Sequence, residues 1–165
     1  MRDTISLERT KKLHPAIAQE AIDCIEAAEA NFPVNVKIRV VQGLRTFEEQ
    51  NALFAQRPRV TKAKGGQSYH NYGLALDFAI MYDKDNNGTF EELSWDTAKD
   101  FDKDGIADWQ EVVKQFEDKG WYWGGNWRTF KDLPHVQKNF GYTWRQLLAK
   151  YEAKDFISGT KYVNL

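Results

Sequence analysis

The chain has 165 residues, 42% of them hydrophobic and 28% charged, enough to bury one core, so a single domain over 1–165 is expected. With 23 lysines and arginines against 24 acids, the net charge of -1 excludes a global electrostatic pull toward nucleic acid or an anionic membrane. The one cysteine, Cys24, excludes an internal disulfide, and no run approaches the ~18 apolar residues of a membrane span.

The charged opening MRDTISLERTKK is not followed by an apolar stretch, so the chain is expected to be made in the cytoplasm without a Sec signal. Pro15 suits a first helical turn, and Ile17, Ala21, Cys24, Ile25 and Ala28 recur at helical spacing, which predicts a helix over 15–31 with Cys24 as a small buried thiol. Pro33 ends it. Val34, Val36, Ile38 and Val40 alternate with Asn35, Lys37 and Arg39, the pattern of a strand with one buried face. Thr46 and Glu49 form a capping box that starts a second helix, running to about Gln56.

Residues 57–73 read as a loop, Leu74–Ile80 as a short buried strand, and 83–108 as a polar insertion. Trp109, Val112, Val113 and Phe116 predict a further helix closed by Gly120, Trp121–Trp127 a strand-like piece, and Trp144, Leu147, Leu148 and Tyr151 a last helix. This order points to an α+β domain whose small, mostly antiparallel sheet is flanked by helices.

The chemistry concentrates in Ser68–Asp77, SYHNYGLALD. On the expected strand Asp77 shares a face with Ala75 and Ala79, which leaves room beside its carboxylate, and a buried acid needs a partner. His70 and Asp77 alone read equally well as a structural hydrogen-bonded pair or as two metal ligands, because a zinc site needs at least three protein ligands. Of the three histidines, His14 precedes Pro15 at a helix start and reads as a surface residue, which leaves His135, in KDLPH, as the third candidate.

These segments resemble the M15 peptidases, and within them the L-alanyl-D-glutamate endopeptidases of phage endolysins and bacterial cell-wall hydrolases. The resemblance rests on QGLRT at 42–46 with EQNAL at 49–53, GGQS at 65–68, SxHxxGxAxD from Ser68 to Asp77, WGGNW at 123–127 and DLPH at 132–135, in order over about 34–137. It implies a fold of the D-Ala-D-Ala carboxypeptidase/Hedgehog-like type, zinc on His70, Asp77 and His135, and Asp132 as catalytic base. Arg45 is the implied partner of the developing oxyanion, with Gln50 and Ser68 as further substrate contacts; a plain salt bridge at a helix start is the other reading of Arg45. The implied partner is a peptidoglycan stem peptide, met at the cell wall or periplasm after release, by a monomer that contacts neither nucleic acid nor membrane. A D-alanyl-D-alanine carboxypeptidase or dipeptidase uses the same metal motif, and a non-catalytic calcium-dependent wall-binding module is a rival of another class.

Asp100, Asp102, Asp104, Gly105, Ile106, Asp108 and Glu111 occupy the first, third, fifth, sixth, seventh, ninth and twelfth positions of an EF-hand loop, so calcium is a second candidate cofactor. Asp83, Asp85 and Asn87 begin the same way, but Ser94 stands twelfth, which leaves Glu91 or Glu92 to substitute. Plain Asx-rich turns are the other reading of both loops. The insertion, about 83–111, lies between Asp77 and Asp132, so an ion there would be placed to order the site. Trp121, Trp123 and Trp127 suit either a sugar-stacking platform or packing.

Overall fold

The segment ALDFAIMY carries apolar residues on both of its alternating faces, and a strand of that kind is stable only when covered on both sides. In the computed structural model, which describes residues 1–165, it forms β2 (Ala75–Tyr82), with Leu76, Phe78, Ile80 and Tyr82 buried on one face and Ala75 and Ala79 on the other. One edge of β2 takes β1 (Val36–Gln42) antiparallel, Val36 opposite Tyr82 and Val40 opposite Phe78, with an irregularity between Val40 and Gln42. The other edge is shared. β3 (Glu92–Ser94) pairs with the C-terminal half of β2, while β5 (His135–Gln137) pairs with its N-terminal half and carries β4 (Tyr122–Trp123) beyond it. The sheet order is β1-β2-β5-β4, and every pairing is antiparallel.

Two helices supply much of the cover. α2 (Pro15–Asn31) buries Ile17, Ala21, Cys24, Ile25 and Ala28, and α4 (Asp108–Glu117) buries Trp109, Val112, Val113 and Phe116, with the Phe78 and Trp109 rings 4.6 Å apart. Burial pushes the Cys24 thiol up to about 12, with Glu20 adding to the shift, so it stays protonated and inert. α3 (Phe47–Ala55) begins on the expected reciprocal capping box of Thr46 and Glu49, and α5 (Trp144–Glu152) closes the chain against the core through Leu147.

Three expectations change. α1 (Thr4–Thr10) is an unanticipated helix; Asp3 caps it, and its buried residues are Ser6 and Thr10, so no apolar period marks it. Val34 is 82% exposed, because Val36 N–H donates to the Pro33 carbonyl in a turn and the strand begins only at Val36. His14 is 1% exposed rather than on the surface: Nδ1 accepts from Ala16 N–H as the cap of α2, and Nε2 meets the Val163 carbonyl of the C-terminal segment at 2.9 Å.

Candidate active site

Antiparallel pairing sets Asp77 of β2 directly opposite His135 of β5. The 3-10 turn Tyr69–Tyr72 then brings His70 over the pair, and Gly73 ends that turn at φ +68°. Only glycine suits this position, because a Cβ would lie 2.7 Å from the His14 backbone nitrogen. The three side chains converge: His135 Nδ1 is 3.0 Å from Asp77 Oδ1, His70 Nε2 is 3.2 Å from the same oxygen, and the two ring nitrogens are 3.2 Å apart.

The opposite ring nitrogens are occupied. His70 Nδ1 lies 2.9 Å from the Gly43 carbonyl and His135 Nε2 lies 2.9 Å from Gln137 Oε1, so each donates outward and turns its lone pair toward the common point. Burial alone would raise the Asp77 carboxyl, but His70 and His135 hold it well below the usual carboxylate range. His135 is pulled up by the Asp77 carboxylate against the effect of its own burial. Three convergent lone pairs with two imidazoles locked from behind fit a small divalent metal: tetrahedral zinc at 2.0–2.1 Å sets its ligand atoms about 3.3 Å apart.

The triad forms the floor of a cavity of about 740 Å³ also lined by Arg45, Ser68, Trp127, Phe130, Asp132 and Gln137. Asp132 stands in the loop before β5, its backbone N–H on the Gly124 carbonyl and its own carbonyl accepting from His135 N–H. Gly124 permits this approach, since any Cβ there would collide with the Asp132 carbonyl. Burial first, and then the neighbouring Asp77 carboxylate, raise the Asp132 carboxyl, while His135, His70 and Arg45 draw it back. Arg45 is desolvated, which lowers its pKa against the pull of Asp77, Glu49 and Asp132, and its Nε is enclosed without an acceptor.

Gln50 has a different place from the expected substrate contact. It is 1% exposed, accepts from Arg45 Nη1 at 2.8 Å and donates to the Ala63 carbonyl at 2.8 Å, so it holds the arginine from behind. Asn71, unremarked in the sequence, fastens the two approaching segments: its amide nitrogen donates to the carbonyls of Arg45 and Thr46, and its oxygen accepts from Gly66 and Ser68 N–H. Gln137 carries no motif of its own, although its position two residues after His135 on a strand puts both on one face. The tryptophans divide. Trp121 is core against Phe116, Trp123 Nε1 donates to the Leu133 carbonyl, and Trp127 faces the cavity with its ring 5.3 Å from that of His135.

The Asp-rich loops stand apart from this cavity. Asp83, Asp85 and Glu91 gather in one cluster, Asp100, Asp102 and Asp108 in a second, and Asp102, Asp104 and Glu111 in a third. Asn87 Oδ1 accepts from Thr89 N–H, and Glu92 is engaged by Lys84 and Lys99. No helix is long and apolar enough to cross a membrane.

The chain is similar to known proteins at these same elements. A family model described as D-alanyl-D-alanine carboxypeptidase matches residues 61–138, which include all three triad residues and Asp132. The chain is 44% identical over 130 residues to the peptidoglycan L-alanyl-D-glutamate endopeptidase CwlK of Bacillus subtilis, covering 76% of this chain and 72% of that protein. It is 28% identical to the L-alanyl-D-glutamate peptidase of Listeria phage A118, over 82% of this chain but only 41% of the phage protein. The crystal structure of the Serratia marcescens L-Ala D-Glu endopeptidase ChiX superposes with a TM-score of 0.56 at 25% identity, covering 83% of this chain and 88% of that one. The α+β fold with its antiparallel sheet, the convergent His-Asp-His triad and these likenesses together place the chain in the M15 peptidase family, whose members are metal-dependent.

Proposed function

We propose that this chain is a zinc-dependent endopeptidase that hydrolyses the L-alanyl-D-glutamate bond of peptidoglycan stem peptides. The observation that carries the reading is the convergence of His70 Nε2, Asp77 Oδ1 and His135 Nδ1 in a cavity that is also lined by the Asp132 carboxyl group and by the cations Arg45 and Lys62. The relatives named for that bond support the choice of substrate.

Zinc, when bound by this triad, supplies Lewis acidity that polarises a carbonyl and brings a water toward a pKa of ~7. Asp132 takes the proton from the attacking water and returns it to the leaving amine. Burial raises its pKa, which makes the carboxylate the stronger base toward that water. Arg45, held by Gln50, presents a desolvated cation to the charge that develops on the carbonyl oxygen and to the carboxylates of the stem peptide. Ser68 lines the same wall and offers a hydroxyl to the substrate backbone. His70 and His135 keep their orientation through Gly43 and Gln137.

Val60 and Phe130 line the cavity and are both more than half exposed, so this part of its wall is open to solvent. The description of the matching family model favours the alternative of D-alanyl-D-alanine cleavage. Mass spectrometry of muropeptide digests separates the two: cleavage between L-alanine and D-glutamate is expected, whereas release of terminal D-alanine with that bond intact overturns the assignment. A non-catalytic wall-binding module would release nothing at any zinc level.

A further inference from the structure

The Asp-rich segment ahead of α4 takes no part in the cavity chemistry, yet it folds its acids into two groups that share Asp102. The oxygens of Asp100, Asp102 and Asp108 lie within 4.8 Å of one another, and so do those of Asp102, Asp104 and Glu111, with Asp102 common to both groups. Acidic turns of this kind are common in solvated loops, and most of these side chains have local donors. Asp108 accepts from the Tyr82 hydroxyl at 2.6 Å and from Phe101 N–H, Asp100 Oδ2 from Gly105 N–H, Asp102 from Asp104 N–H, and Asp104 from Ile106 N–H.

Glu111 is the exception. It is 8% exposed on the first turns of α4, its Oε2 is enclosed with no donor, and it faces the carboxylates of Asp102 and Asp104. Asp100 Oδ1 is enclosed without a donor as well. A buried carboxylate surrounded by other carboxylates is destabilising unless it takes up a proton or a cation sits among them. Burial, followed by the charges of Asp104, Asp102, Asp108 and Asp100, pushes the Glu111 carboxyl up to about 7.

We propose that this loop is a calcium site, in which the carboxylates of Asp100, Asp102, Asp104 and Glu111 and the Ile106 carbonyl bind one ion while Asp108 anchors the loop to Tyr82 of β2. An all-oxygen donor set suits calcium, against the nitrogen and sulfur ligands typical of zinc and the rigid octahedron that magnesium demands. Only the outgoing helix of the EF-hand pattern is present, since the segment entering the loop is irregular. The earlier loop has no comparable orphan: both Asp83 oxygens accept backbone N–H, from Asn87 and Gly88, and Glu91 is exposed.

The site is independent of the peptidase assignment, and calorimetry on the zinc-loaded full chain tests it, with calcium chloride as titrant, magnesium chloride in parallel, and thermal melting of each sample. Expected are saturable calcium binding at least tenfold tighter than magnesium binding and a rise in Tm with calcium. Glu111→Gln and Asp102→Asn should each weaken binding tenfold or more and remove that rise. Without calcium, Glu111→Gln should melt above the parent, because the amide relieves the crowding of like charges. Two results would overturn the proposal: no saturable heat or Tm shift up to ~10 mM calcium, about tenfold above the ~1 mM weak end of such loops, or an unchanged response in both variants.

Discussion

His70 and His135 each commit one ring nitrogen to a partner outside the triad, and those partners differ in how replaceable they are. Gly43 contributes a backbone carbonyl, whereas Gln137 contributes a side chain. Gln137→Leu should therefore leave the fold intact and weaken zinc affinity about 10–100-fold, the usual cost of losing an outer partner of a ligating histidine; competition with a chromophoric chelator reads it. Asp132→Asn should remain folded and zinc-loaded while kcat falls by at least about 10²-fold, as expected for a lost proton carrier; retained metal with lost turnover distinguishes a base from a ligand. At this scale the sequence was informative wherever chemistry demands a residue type: the triad, Asp132 and Arg45 all line one cavity. It was silent or misleading where a residue's partner is remote in the chain. His14 reads as a surface residue at a helix start because its acceptor, Val163, is 149 positions away, and Gln50 reads as a substrate contact because nothing local shows that Ala63 and Arg45 take up its amide.

Elements bring those residues together, and the shortest of them matter most. β5 has three residues, too few to show a period, yet its register with β2 sets His135 opposite Asp77. β3 is equally short, and α1 buries serine and threonine instead of an apolar stripe, so neither announces itself. The longer elements were legible from their patterns: α2 and its proline, the Thr46 capping box, the apolar run of β2, and the faces of α4 and α5. The turn Gly124–Asn126 works with β5, because Gly124 accepts from Asp132 N–H and packs against its carbonyl. Gly124→Ala should push the Asp132 loop away. The expected outcome is a loss of kcat/KM of about tenfold or more, since small displacements of a catalytic group are costly, with zinc content unchanged, checked by steady-state kinetics beside metal analysis.

Across the whole molecule, one sheet joins two regions of different chemistry. The N-terminal half of β2 carries Asp77 and pairs with β5, while its C-terminal half carries Tyr82, whose hydroxyl holds Asp108 at the head of α4. Six of the eight residues of that strand are buried, so Asp77 rests on a rigid base while much of the cavity wall is built from loops. The M15 assignment, the fold and the triad agree because each depends on the same few segments in the same order. The most direct test of the account is metal analysis and muropeptide digestion on a single preparation. It predicts one zinc per chain and cleavage between L-alanine and D-glutamate, with both lost in a His135→Ala variant. Hydrolysis undiminished in zinc-free protein, or release of D-alanine with the L-alanyl-D-glutamate bond intact, would contradict it.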